Sequence, residues 1–324
     1  MRSSELGAGL GETGACALSS EAWIEFNRVR WGISPLPFER SFGDAFGLWA
    51  TLYVDEHGRI MLPRLNRYFP LRYHATPAMR PSTRERRWLE VAGDLADEMR
   101  RRGVRSTASF PPEVRDVRPW RWAGFRVDVS YTAYLDFPLR PVDFDPSVTK
   151  KVRQAKRSGY RVERTTDVAG VLSCIRETEE RQAFGYGVRA GDLETAFAVA
   201  GHDTCRAYLC RGPDGDPASA RIAIHAPGTR SIDWLAGTKR KHLGRGATQM
   251  VIGFMLEDLS SCGSIGIDFC GANIRSVAAA KMNWGARLES SFLIEEMSLR
   301  NAARWVRSRW RDAIQRRTRT KRAN

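Results

Sequence analysis

Apolar positions change period several times along the chain, and each change marks an element. Ser82-Thr83-Arg84-Glu85 has capping-box spacing, and Trp88, Val91, Ala92, Leu95, Ala96 and Met99 then recur at three and four residues. They predict a helix that stops at Gly103. A strand over 104–110 follows, then a short Pro-opened helix, and Gly124-Phe125 leads into the alternating stretch RVDVSYTAYLDF. The second half runs in the same order: a helix from about Gly246 to Cys262, Gly263, the strand SIGIDF, a short helix, Gly285-Ala286 and the strand RLESSFLIEE. Even the bounding glycines agree, with 21 residues from Gly103 to Gly124 and 22 from Gly263 to Gly285. Upstream of each long helix lies a candidate hairpin, LWATLYVDEHGRIMLPRL turning at DEHG and CRAYLCRGPDGDPASARIAIHA turning at PDGD. The pattern predicts two copies of a hairpin–helix–strand–helix–strand unit. Between them lie a basic helix closed by Gly159, a strand, and a helix capped by Asp167.

Composition supports a soluble globular protein long enough for two domains, 324 residues with 42% hydrophobic and 27% charged, and the element pattern predicts an α+β fold. No apolar run approaches the roughly 20 residues that span a bilayer, and the first 20 residues lack the apolar core of a signal peptide. Residues 1–19 are expected to be a disordered leader, and the cytoplasm is the expected compartment. Six cysteines are scattered without a CxxC pair and five histidines do not cluster with them, so neither a zinc site nor a disulfide framework is indicated.

The formal charge of +15 is unevenly placed. Residues 300–324 hold ten basic side chains against Asp312 alone, with Val306, Trp310 and Ile314 forming a narrow apolar stripe. This basic C-terminal helix and tail (299–324) suits RNA phosphates or anionic lipid, or is a docked helix followed by a solvated tail. A second basic run, Lys150, Lys151, Arg153, Lys156 and Arg157, lies on the helix between the repeats. It marks an anionic partner such as tRNA, or a solvated face.

Three stretches carry a resemblance: WAGFRVDVSYTAYLDF with KKVRQAKRSGYRVE after it, LGRGATQMVIGFMLEDLSSCGSIGIDFCGAN, and SVAAAKMNWGA. Together they resemble the GNAT superfamily in the doubled form of the FemABX-like aminoacyltransferases, over roughly residues 20–298. The resemblance implies two tandem GNAT-like domains of mixed β-sheets flanked by helices, an N-terminal one (20–140) and a catalytic C-terminal one (141–298). It further implies amide-forming N-acyl transfer with aminoacyl-tRNA or acyl-CoA as co-substrate and no tightly bound cofactor.

In that group the lysine matching Lys281 stabilises the oxyanion of acyl transfer; the alternative is a solvent-facing lysine. Asp268, at a strand end beside the same turn, is a candidate base or amine-orienting carboxylate, or else a turn former. Asn273 and Trp284 are candidate substrate-binding residues, with backbone positioning as the alternative for Asn273. Lys241, Gly244, Arg245, Gly246 and Ala247 stand where GNAT enzymes cradle the coenzyme A pyrophosphate, or form a helix-entry turn. Two departures limit the transfer of function. Ala280 replaces the family's phenylalanine, and the first half lacks the Trp- and Lys-rich stretch that holds a UDP-linked precursor. A non-catalytic basic binding protein on the same scaffold is therefore carried as an alternative, and the acceptor is left open among a peptidoglycan precursor, an antibiotic-like amine and a sugar amine.

Overall fold

The computed structural model describes residues 16–105, 107–182 and 185–296. The first half contains α1 (Glu21–Trp31), β1 (Ser34–Phe42), β2 (Phe46–Val54), β3 (Leu71–Ala75), α2 (Pro81–Arg102), β4 (Ala108–Ser109), α3 (Arg118–Trp122) and β5 (Phe125–Asp136). Next come α4 (Pro146–Arg157), β6 (Arg161–Arg164), α5 (Val168–Gln182), α6 (Ala190–Val199) and α7 (Gly201–Thr204). The chain continues through β7 (Cys205–Arg211), β8 (Pro217–Ile224), β9 (Arg230–Thr238), α8 (Ala247–Ser261), β10 (Gly266–Asp268), α9 (Arg275–Met282) and β11 (Arg287–Glu296). Among the described residues no helix is long and apolar enough to cross a bilayer.

The expected repeat is present as α2–β4–α3–β5 and α8–β10–α9–β11. Its copies do not form separate sheets. One eight-stranded sheet runs β4–β11–β5–β10–β9–β8–β7–β6, so each copy's last strand pairs with the other copy's short strand. β5 and β11 run antiparallel side by side over ten residue pairs, from Arg287↔Tyr134 to Glu296↔Phe125. The expected boundary at residues 140/141 therefore divides the chain but not the sheet.

Local expectations fare unevenly. The six apolar positions of α2 from Trp88 to Met99 are all buried, each large side chain contributing roughly 1.5–3 kcal/mol by leaving water. The helix opens at Pro81 and not at a capping box, because proline lacks the N–H that a first helical residue leaves unpaired in any case. The PDGD hairpin forms between β7 and β8. DEHG also turns, with Asp55 N donating to Arg59 O at 3.0 Å, but the returning chain makes a single bridge, Val54↔Ile60. β2 instead pairs with β1 and β3 in a separate three-stranded sheet. The strand expected over 104–110 shortens to β4 plus a Val104 bridge to Ile60. The leader expected over 1–19 is overlapped by described structure: Cys16 bridges Arg230, and Ala17 and Leu18 are fully buried beside Trp23. The expected tail, 299–324, lies outside the described residues.

β9 and β10 are the one parallel pair among the described strands, and they pair only from Arg230↔Gly266 to Ile232↔Asp268. Beyond that point β9 continues to Thr238, whereas Cys270 (φ +54°) and Gly271 (φ +31°) turn the other chain away. The strands splay and a cleft opens. Helices cover both faces there: α5 packs with Ile222, Ile224, Ile232 and Trp234, and α8 with Ala223 and Ile267.

Candidate active site

The splay holds a cavity of about 670 Å³. Its walls include Gly237–Thr238 with Leu243, and Phe269–Gly271 with Ile274 and the α9 residues Ala280 and Lys281. Lys281 Nζ donates to the carbonyl of Gly271 at 2.7 Å and to that of Cys270. Two of its three N–H directions are thus spent on the turn, leaving one for a ligand. Burial lowers its pKa, and Asp233 opposes that shift. Lys281 is a cavity lysine and not a solvent-facing one.

Asp268 is completely buried and accepts hydrogen bonds from Thr132 Oγ1, Tyr68 OH at 2.9 Å and Cys270 N at 2.6 Å. Burial raises its pKa against the pull of those three donors. It is not among the residues lining the cavity. The geometry is that of a turn former that also fastens β5 and the Tyr68 loop. Asn273 behaves similarly: its Oδ1 accepts from Tyr131 N and its Nδ2 donates to Ser130 Oγ, both at 3.0 Å, which ties the turn to β5. Trp284 lines the cavity but is only 3% exposed, stacked edge-on against Phe144 with ring centroids 5.3 Å apart. Its main contact is the core. Ala280 leaves open the cavity space that a phenylalanine there would enter.

The glycine loop before α8 divides by residue. Lys241 is exposed and paired with Asp214 at 3.1 Å and Asp216 at 3.0 Å. Gly246 (φ +86°) is required structurally, since a side chain there would collide with the Lys151 carbonyl of α4. Gly244 (φ +76°) faces open space, Arg245 is exposed and Ala247 is buried in the core. Thr248 and Gln249, in the first turn of α8, line the cavity. That turn's N–H groups have no intrahelical acceptor. The same contact between Gly246 and Lys151 brings the basic helix α4 against this loop. Lys150, Arg153, Lys156 and Arg157 are exposed, and none of them forms an ion pair among the described residues.

Sequence reasoning missed Asp233. This β9 side chain is 2% exposed, its Oδ2 pairs with Arg221, and its Oδ1 has no partner although the residue lines the cavity. Burial raises its pKa, opposed by Arg221 and then Lys281. The available signal was one acid in the apolar run SIDWLA and one arginine in ARIAI, charges that buried strands carry only when paired. Asn66 and Arg67 also line the cavity, and nothing in their loop sequence marked them.

Neither a family model nor a curated protein sequence matches the chain. Solved structures do. The chain shares its fold with FemX. The match has a TM-score of 0.60 at 12% identity and covers 87% of this chain and 92% of FemX. The C-terminal domain of a putative lysylphosphatidylglycerol synthetase from Agrobacterium fabrum matches with a TM-score of 0.54 at 11% identity, over 86% of this chain and 89% of that one. L-PGS from Bacillus licheniformis matches with a TM-score of 0.51 at 10% identity, over 91% and 96%. The expected FemX-like fold is the fold observed.

Proposed function

We propose that the chain is an N-acyltransferase that moves an aminoacyl group from aminoacyl-tRNA to an acceptor amine in the β9–β10 cleft. The observation that carries this reading is the pairing of chemistries in one cavity: the Lys281 ammonium with one free donor, and the Asp233 carboxylate with one free oxygen. The acceptor nitrogen attacks the ester carbonyl of the donor and Asp233 Oδ1 takes the proton it sheds. The carbonyl oxygen becomes an oxyanion beside Lys281, then re-forms the carbonyl as the C–O bond to the tRNA ribose breaks, and that ribose oxygen leaves with the proton Asp233 Oδ1 had taken. Removing a preplaced oxyanion donor typically costs about 3–4 kcal/mol of barrier. No protein nucleophile is needed, because bringing an amine and an activated ester together supplies much of the rate.

The choice of a polyanionic donor rests on the exposed basic side chains of α4, which form no ion pair among the described residues and adjoin the loop before α8. The open first turn of α8 favours a second reading, acyl-CoA. One structural neighbour is titled a putative lysylphosphatidylglycerol synthetase, so phosphatidylglycerol, which offers a hydroxyl and no amine, is the lipid tried, and acyl transfer to it alone would overturn the N-acyl assignment. The test incubates purified protein with charged tRNA and with acyl-CoA in parallel, with amine and lipid acceptors, and follows the acyl group. Loss from one donor, dependent on Lys281 and Asp233, supports the assignment. Retention by both, with every acceptor, returns the chain to a basic binding protein.

A further inference from the structure

The loop between β2 and β3 belongs to the first half of the chain, yet it supplies a wall of the cavity in the second. Leu65 has φ +71°, a left-handed conformation that leucine rarely adopts. Its carbonyl accepts from Trp234 Nε1 at 3.0 Å, which holds the loop against β9. The next two side chains then present donors without acceptors. Asn66 Oδ1 accepts from Trp23 Nε1 at 3.0 Å, and because an indole can only donate, the amide orientation is fixed. Its Nδ2 is buried and has no partner among the described residues. Arg67 uses Nη2 on Ser130 Oγ at 2.9 Å, while its Nε is buried and has no partner. Buried donors left unsatisfied are rare and costly, and consecutive ones on residues that line a cavity point to an acceptor supplied from it.

The charge of the cavity agrees. Arg67, Arg181, Arg221 and Lys281 line it, and Asp233 is the one acid among its lining residues. Asp233 Oδ1 is in turn an acceptor without a donor. A single small molecule meets both needs if it carries an ammonium and an oxyanion.

We propose that Asn66 and Arg67 form an oxyanion subsite, so that the acceptor is a small amine bearing a carboxylate or phosphate, its nitrogen at Asp233. This identification of the acceptor rests on the acyl-transfer reading above; the subsite itself rests on the two orphaned donors.

Calorimetric titration of the full chain with alanine against alaninamide, and with phosphoethanolamine against ethanolamine, tests it without requiring turnover. The acid of at least one pair should bind roughly tenfold or more tightly than its neutral counterpart, in line with a charge-assisted hydrogen bond. Whichever pair shows the preference identifies the oxyanion as carboxylate or phosphate. Asn66→Asp keeps the acceptor for Trp23 and replaces the free donor by an oxygen, so it should abolish the preference at unchanged melting temperature. Arg67→Met should do the same independently. Equal binding within both pairs, undetectable binding of both acids, or an intact preference in both folded variants overturns the subsite. An oxyanion preference without acyl transfer to any amine sinks the reaction and leaves the subsite standing. Equal turnover of acid and amide sinks the subsite alone.

Discussion

The Trp234 indole donates to the Leu65 carbonyl at 3.0 Å, so the strand that carries Asp233 and the loop that carries Asn66 and Arg67 are fastened by one bond. Trp234 also packs edge-on against Trp23, the residue that orients Asn66. Trp234→Phe keeps most of the packing and removes the donor, leaving a carbonyl unpaired beside a strained backbone. Denaturant titration should show a loss of about 1–3 kcal/mol. Wild-type stability in this variant would mean that the loop is held by other contacts.

Lys281→Met should lower turnover of the identified transfer by roughly 10²–10³-fold, with donor affinity and melting temperature nearly unchanged. Lys281→Arg should not restore it, because the two carbonyls at 270 and 271 cradle a compact ammonium and a planar guanidinium presents its donors differently. Single-turnover kinetics beside donor binding separates the two effects. Near-wild-type turnover in the methionine variant removes Lys281 from the chemistry.

The pH profile follows from the two shifts. Asp233 must be ionised to take a proton, and burial raises its pKa, so activity falls as pH drops through that raised value. Lys281 must be protonated to stabilise an oxyanion, and burial lowers its pKa, so activity falls as pH rises through that lowered value. The expected bell is therefore narrower than ordinary aspartate and lysine values would give. Lys281→Met should remove the alkaline limb from its residual activity, and Asp233→Asn the acid limb. Limbs that survive in both variants would belong to other groups.

Much of this molecule was legible before its structure because periodicity reports local burial. The apolar stripe of α2 follows from side chains that repeat at 3.6 residues, and the order of elements from the changes of period along the chain. Strand exchange between β5 and β11 was not legible, since a strand alternates in the same way whichever neighbour it pairs with. The site divides along the same line. The place of Lys281 at the cavity was legible in its segment, whereas Asp233 reaches the cavity only through a splay between strands that pair over three residues. Asn66 and Arg67 lie more than 160 residues from β9, and only the fold brings them to it.

Asp268 and Asp233 should respond oppositely to substitution. Asp268→Ala leaves Thr132 Oγ1, Tyr68 OH and Cys270 N without an acceptor in a sealed interior, at about 1–3 kcal/mol for each. Thermal unfolding should show that loss, and Asp268→Asn should recover much of it by retaining one acceptor oxygen. Asp233→Asn keeps an acceptor oxygen for Arg221, so turnover should fall far more than melting temperature. An Asp268→Asn variant that melts normally but has lost turnover would restore Asp268 as a base.

Charge outside the cavity tests the proposed donor. On α4, Lys150, Arg153, Lys156 and Arg157 are exposed and have no carboxylate partner among the described residues, so reversing them breaks no such pairing. The Lys151 carbonyl, which abuts Gly246, is a backbone group and stays in place. Reversing Lys150, Arg153 and Arg157 to glutamate should therefore preserve melting temperature while weakening tRNA binding. The slope of log affinity against log salt should flatten by roughly 0.7–0.9 for each phosphate that is no longer neutralised, because fewer counterions are released on binding. Acyl-CoA binding at the α8 turn depends on backbone N–H groups and should change little in the same variant. Unchanged tRNA affinity and slope would remove α4 from the donor site. Coenzyme A affinity that falls while tRNA binding is unaffected would transfer the assignment to acyl-CoA.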